Sequence, residues 1–384
     1  MNAYLTALVA YLPGDPVAND RIDAYLGAVD RVSARTRRMI LASNGILTRH
    51  YAIDPTSGEP THTNAQLAAE AVRRLCAARG ITPSDLRCLC CGTSAPDQLM
   101  PGHASMVHGE LGSSPCEVVS TAGICLTGVT ALKYAAMAVE LGLAANAAVT
   151  GSELASSFMR EDFFAQAGSG AIGPGQEAER PPAFSFEENF LRWMLSDGAG
   201  AVLIERKPTA ALSLAIEWIE IASFAHRLPA CMYAGARKDA DDRVTGWRQL
   251  MRQGLGSTGG VFTIKQDARL LNREVLPVLV GEALPPIVAK HGLHPGEIDW
   301  FLPHYSSGYF REPLARELAR IGFAIPEERW FTNLASRGNT GSASFFIMLE
   351  ELVASGRVSR GQRILALVPE SGRFSVGYVL LTAV

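Results

Sequence analysis

The sequence predicts an α/β protein built from two related halves, and three observations lead there. Short apolar strands, AAVTG and RILALV among them, alternate with helical segments along the chain. These strands are apolar along their whole length, as in sheets covered on both faces. An internal repeat then runs at an offset of 212 residues, with CAARGITPSDLRCLCCG (76–92) answered by VAKHGLHPGEIDWFLPH (288–304). Gly80 and Gly292 coincide in it, as do Pro83 and Pro295, while Asp85/Glu297 and Leu86/Ile298 match in type.

The elements follow in order. The opening run MNAYLTALVAYLPGDP lacks a positively charged start and is stopped by Pro13 and Pro16, so it reads as a strand rather than a signal peptide. No run reaches the roughly 18 to 20 apolar residues of a membrane span, and the expected location is cytoplasmic, with no membrane partner. A helical segment precedes each copy of the repeat, AQLAAEAVRRL in one and VLPVLVGEALPPIV in the other. The glycine caps that helix, and the proline restarts the chain before a buried strand. In DLRCLCCGTS, Cys88, Cys90 and Cys91 read as small hydrophobes of such a strand. The 7 cysteines are an odd number, which suggests no disulfide framework, and no further metal-ligand spacing follows before His103 and His108. Thr121–Leu141 and Asn333–Leu352 each begin with small residues and run into a long helix. The two halves therefore span about 1–207 and 208–384, with 154–195 an insertion lacking a counterpart.

Composition bounds the function. Of 384 residues, 48% are hydrophobic and 19% charged, the balance of an ordinary globular protein. A net charge of -3 gives no basic field for nucleic acid.

Three residues carry candidate chemistry. In VVSTAGICLTGVTALKYAAMAVELG an apolar strand gives way to small residues, and Cys125 stands where a helix opens. Unpaired helix N–H groups and the dipole favour a thiolate there and suit an oxyanion. A small buried residue at a tight turn fits the same pattern. His304 follows the strand IDWFL at its C-terminal end, where ligands gather in α/β folds, although a satisfied structural histidine fits as well. Asn339, in TNLASRGNTGSAS, lies in a loop so poor in bulk that something approaches its backbone, or else it serves a left-handed turn. Gly80 to Cys125 spans 45 residues and Gly292 to Asn339 spans 47, so the duplication puts Cys125 and Asn339 at matching junctions, and His304 stands at a strand–helix junction of its own.

The motifs GTSAPDQLMPGHASMVHGELG, STAGICLTG, SDGAGAVLIE, FLPH, RGNTGSAS and ESGRFSVG occur in one order along nearly the whole chain. In them the chain resembles the ketosynthase III family, the beta-ketoacyl-acyl-carrier-protein synthase III branch of the thiolase superfamily. The resemblance implies a thiolase-like five-layered α-β-α-β-α sandwich, a homodimer, and thioester substrates on acyl carrier protein, coenzyme A or both. It implies that Cys125 is acylated, that His304 and Asn339 assist, and that the N–H of Gly372 joins that of Cys125 in the oxyanion hole. The implied reaction is a Claisen condensation with a malonyl or 3-oxoacyl thioester that needs no cofactor and no metal.

Departures from the family bear on substrate. Met39 and Ser43 stand where acetyl-primed members carry a Trp and an Arg that grip the nucleotide, so a carrier protein becomes a candidate donor. YSSGY replaces the Gln-Ala-Asn that follows the histidine. Arg311 and Arg316 are candidate carrier-protein contacts, and Met100 and Phe190 candidate substrate-pocket residues. The long insertion is similar to relatives in secondary metabolism, including those making dialkylresorcinols or pyrones. Gly168-Ser-Gly170-Ala-Ile-Gly173 has the spacing of a dinucleotide fingerprint, but it follows no strand and Pro174 comes next. Three rivals remain: acyl transfer to an oxygen or nitrogen acceptor, a non-catalytic acyl-binding subunit, and a papain-like hydrolase. Asn339 speaks against the first, Cys125 with His304 against the second, and the duplication against the third.

Overall fold

The computed structural model describes residues 2–28, 33–161, 163, 190–254 and 260–384. In chain order its main elements are β1 (Tyr4–Tyr11), α1 (Asn64–Arg79), β2 (Cys88–Thr93), α2 (His103–Leu111), β3 (Glu117–Ala122) and α3 (Thr127–Glu140). Then come β4 (Asn146–Glu153), β5 (Gly198–Glu205), β6 (Leu214–Ser223), α4 (Ala268–Leu276), α5 (Leu284–His291) and β7 (Trp300–Pro303). The chain closes with α6 (Arg311–Arg320), α7 (Ser344–Ala354), β8 (Arg363–Glu370) and β9 (Ser375–Ala383).

These strands form a single sheet in the order β7-β8-β9-β6-β1-β5-β4-β2-β3. Its wings meet at a short β1/β6 pairing, Tyr4 with Ala215 and Leu5 with Leu214. From that join outward the first wing runs β1-β5-β4-β2-β3 and the second β6-β9-β8-β7, so both follow one order. Pairing sense repeats as well: β2/β4 and β7/β8 are parallel, β4/β5 and β8/β9 antiparallel. Where the first wing has β3, the second keeps only a parallel bridge from Phe301 to Trp330.

Three apolar clusters separate the layers. One lies between α1, α2 and the first wing, and includes Leu67, Val72, Leu75, Leu89 and Val107. The second joins residues of both wings to α3 and α7, with Leu132, Val139, Phe346, Leu349 and Leu381 among them. The third packs α4, α5 and α6 on the far face of the second wing. The result is helices, sheet, helices, sheet, helices.

Local sequence explains the repeated pieces. Thr63 and Gln66 form a capping box on α1, a device worth about 1 kcal/mol, and Gly80 ends the helix in a left-handed conformation. Gly292 ends α5 in the same way. Pro83–Asp85 and Pro295–Glu297 each add one tight turn, and β2 and β7 begin at equivalent positions. The helical segment before the second copy is present with one irregularity. VLPVLVGEALPPIV is not a continuous α-helix, because α4 ends at Leu276 and a wider π-turn spans Pro277–Glu282 before α5. Pro277 lacks the N–H that a continuing helix would need.

Cys88, Cys90 and Cys91 are buried in β2, and all seven cysteines are free. Among the described residues no helix is long and apolar enough to cross a membrane, and no cluster of His, Cys, Asp or Glu could hold a metal ion. Of the segment 154–195, residues 162 and 164–189 lie outside the described residues, and with them the Gly168–Gly173 string.

Candidate active site

The candidate residues gather at the C-terminal ends of parallel strands. Cys125 lies in the turn between β3 and α3, two residues before the helix proper, whose N-cap is Leu126. It therefore precedes the helix rather than opening it. His304 follows β7 directly, and its main-chain N–H donates to the Leu367 carbonyl on β8 (2.8 Å). Asn339 sits between Gly338 and Thr340, held by its own N–H to the Met194 carbonyl and by the Ser196 N–H to its carbonyl (both 2.9 Å).

Two cavities meet at the cysteine. One is lined by Cys125, His304, Tyr305, Phe310, Leu271 and Leu367. The other is lined by Cys125, Asn339, Glu153, Ser94, Phe158 and Met232. Cys125 is thus shared, with His304 on one side and Asn339 on the other. A third, outer cavity of about 230 Å³ is lined by Ser43, Phe190, Gln266, Asn272 and Tyr309. It shares Leu271 and Phe310 with the His304 cavity, so the two lie on either side of the same side chains.

The asparagine loop approaches the sheet closely, as its small residues suggest. A Cβ on Gly151 of β4 would stand 2.3 Å from the Ser342 carbonyl oxygen, and one on Gly128 of α3 2.6 Å from it. The left-handed positions in the loop are Gly338 (φ 70°) and Gly341 (φ 52°), whereas Asn339 is not among the residues with positive φ. Left-handed geometry therefore does not account for the asparagine, although its side chain closes an Asx turn. Its Oδ1 accepts the Gly341 N–H (3.0 Å), which leaves the amide NH2 as the donor it can offer to a ligand.

Electrostatics separate the three residues. Burial pushes the His304 imidazole down to about 4, so it is neutral at pH 7. The thiol of Cys125 is pushed up by burial first, then by the carboxylates of Glu370 and Glu153, while its own main-chain N–H works the other way. The sequence pattern pointed to a stabilised thiolate. Instead, burial raises it, and two acidic residues that converge on the turn from distant strands add to the rise.

Those acids went unnoticed in the sequence. Glu153, at the end of β4, is buried and accepts from the N–H groups of Ser94 and Ser342 (both 3.1 Å) and from the Ser94 hydroxyl (2.6 Å). Glu370, at the end of β8, accepts from the N–H groups of Ile124 (2.8 Å) and Leu126 (3.2 Å). An acidic residue ending an otherwise apolar strand, GSE or VPE, was the available signal.

The remaining candidates spread out. Gly372 lies against the cysteine turn, and an added Cβ would be 3.0 Å from Ile124 Cδ1. Phe190 lines the outer cavity beside Ser43. Met39 and Met100 are 62% and 80% exposed, and neither lines a cavity beside Cys125. Arg311 pairs with Glu327 (2.9 Å) and lies over the Trp330 ring, and Arg316 pairs with Glu312 one turn away on α6. Both arginines thus have local partners.

Residues 288–382 match the family described as 3-oxoacyl-[acyl-carrier-protein (ACP)] synthase III C terminal. The chain is a relative of the ketosynthase III enzymes. Beta-ketoacyl-[acyl-carrier-protein] synthase III of Hyphomonas neptunium is 24% identical over 365 residues, 95% of this chain and 94% of that one. The enzyme of the same name from Rhizorhabdus wittichii is 27% identical over 338 residues, 88% of each chain. Among solved structures, AbyA1, a tetronic acid condensing enzyme, superposes with a TM-score of 0.76 at 23% identity, covering 99% of both chains. OleA of Xanthomonas campestris gives 0.74 at 21% identity, covering 100% of this chain and 98% of that one. These likenesses extend the ketosynthase III fold over the whole chain.

Proposed function

We propose that this protein is a ketosynthase III-type condensing enzyme, an acyltransferase in which Cys125 carries the acyl group. The carrying observation is the position of Cys125 at the meeting point of two cavities, one offering His304 and the other Asn339. In the loading half, the sulfur attacks the carbonyl of an acyl thioester. The C–S bond to the first carrier breaks, and that carrier leaves as a free thiol with the proton Cys125 has lost. The N–H groups of Cys125 and Gly372 hold the oxyanion formed on the way.

In the condensing half, a malonyl thioester enters and loses CO2, leaving an enolate. Neutral His304 and the Asn339 amide donate hydrogen bonds to the enolate oxygen, where the negative charge develops. The α-carbon attacks the acyl-Cys125 carbonyl, a carbon–carbon bond forms, and the cysteine sulfur leaves and is reprotonated. Keeping His304 neutral makes it a donor without a fixed charge that would also bind the substrate carboxylate.

The outer cavity, with Phe190 and Ser43, is the proposed entrance for the thioester arm. Ser43 in that lining and the exposed Met39 offer no cationic or indole grip, which favours delivery by acyl carrier protein over coenzyme A. A homodimer is proposed to form along β3, an edge strand with exposed residues. In that arrangement Met100 closes the acyl pocket of the partner.

The test is product formation. Purified protein given an acyl thioester and a malonyl carrier protein should release CO2 and a 3-oxoacyl carrier in equal amounts. Acyl transfer to an alcohol or amine without CO2 release would instead establish the rival acyltransferase reading.

A further inference from the structure

Glu370 has no part in the reaction as written, yet it touches the turn of the nucleophile on both sides. One oxygen, Oε2, accepts from the N–H groups of Ile124 (2.8 Å) and Leu126 (3.2 Å), the residues flanking Cys125. The N–H of Cys125 lies between them and faces its own sulfur. Two residues beyond Glu370 is Gly372, where an added Cβ would be 3.6 Å from Oε1 of the same carboxylate. The turn is shaped to admit this side chain. Gly123 has φ 156°, and a Cβ there would sit 3.1 Å from Oε2.

We propose that Glu370 is a positioning residue: its carboxylate ties the turn carrying Cys125 to the strand end carrying Gly372 and sets the two oxyanion N–H groups against each other. The proposal rests on the reading of Cys125 as the acylated nucleophile. A carboxylate suits the task because it accepts two main-chain hydrogen bonds through one oxygen at the positive end of α3. Gln supplies an amide oxygen in the same place without the charge, whereas Ala supplies neither.

The tether has an electrostatic cost that provides a readout. The titratable groups at the Cys125 sulfur are Glu370 from β8, Glu153 from β4, and His304 and Tyr305 after β7, and after burial it is the two acids that push the thiol up. Removing the Glu370 charge therefore eases formation of the thiolate.

The experiment uses the full chain with iodoacetamide and an acyl carrier thioester as probes. Alkylation of Cys125, localised by peptide mass, is followed against pH for wild type, Glu370→Gln and Glu370→Ala, and acyl loading rates are measured beside it. Both variants should move the alkylation profile to lower pH, so that more thiolate is present at a fixed lower pH. Glu370→Gln should load within a few-fold of wild type, whereas Glu370→Ala should load about 10²-fold more slowly, the loss expected when an oxyanion donor is misplaced. A Glu370→Ala protein that loads at the wild-type rate would overturn the proposal, as would alkylation profiles that coincide for all three. A wild type that is alkylated but never acylated at Cys125 would overturn the nucleophile assignment, while the profiles would still report on Glu370.

Discussion

The two cavities that meet at Cys125 differ in charge. The one holding His304 is lined by Leu271, Val275, Leu314, Leu367 and Phe310 and has no acidic residue in its lining. The one holding Asn339 contains Glu153, buried and fixed by three hydrogen bonds. Burial alone shifts the histidine, whereas burial joined by two carboxylates shifts the cysteine. Burial favours the uncharged form of both groups, and the carboxylates add to it only at the cysteine. On the histidine side burial acts alone, and on the asparagine side the charge of Glu153 is added.

The largest effect that could break this comparison comes from the donors themselves. His304→Ala and Asn339→Ala should each accept the acyl group at close to the wild-type rate and lose condensation by about 10² to 10³-fold, as removal of a transition-state donor does. Intact mass and CO2 release report the two halves separately. A variant impaired equally in both would place its side chain in loading, and the cavities would not divide the work as described.

A smaller effect concerns the packing of the asparagine side. Gly151→Ala brings a Cβ to 2.3 Å of the Ser342 carbonyl and must displace the loop carrying Asn339. It should lower stability by about 1–3 kcal/mol in denaturant unfolding, the usual cost of overpacking. Condensation should fall further than loading. Unchanged condensation would mean that Asn339 tolerates movement of its loop.

The smallest effect is on acid stability, and it belongs to the histidine side. With its value held near 4 against an ordinary 6.5, folded His304 stays neutral where the unfolded chain takes up a proton. Stability is therefore full above about pH 6.5 and falls as pH drops toward 4. His304→Ala should flatten part of that fall, leaving the part due to His103, which burial also holds near 4. Identical pH profiles of stability for the variant and wild type would show that His304 is not buried neutral.

Much of this was legible in the sequence because it is local. Strand, small residues and helix around Cys125, a histidine ending an apolar strand, and a Gly-rich loop around Asn339 each span a few residues. The 212-residue repeat then placed two of them in equivalent junctions. Glu153 and Glu370 were not legible as site residues. An acid at a strand end reads as a solvated terminus until the opposite wing of the sheet closes over it. The direction of the Cys125 shift was not legible either, since a helix end can be read from sequence, whereas the burial that raises the thiol and the two carboxylates that add to it cannot. Asn339 shows the converse. Sequence allowed a left-handed asparagine, but the neighbouring glycines take that conformation and free its amide for a ligand.

The most direct test of Cys125 as the acyl carrier is the intact mass of the protein after incubation with a panel of acyl carrier and acyl-coenzyme A thioesters. Wild type should gain the mass of one acyl group, reversible by hydroxylamine, and Cys125→Ala should gain none. An acyl mass retained on Cys125→Ala would contradict the assignment.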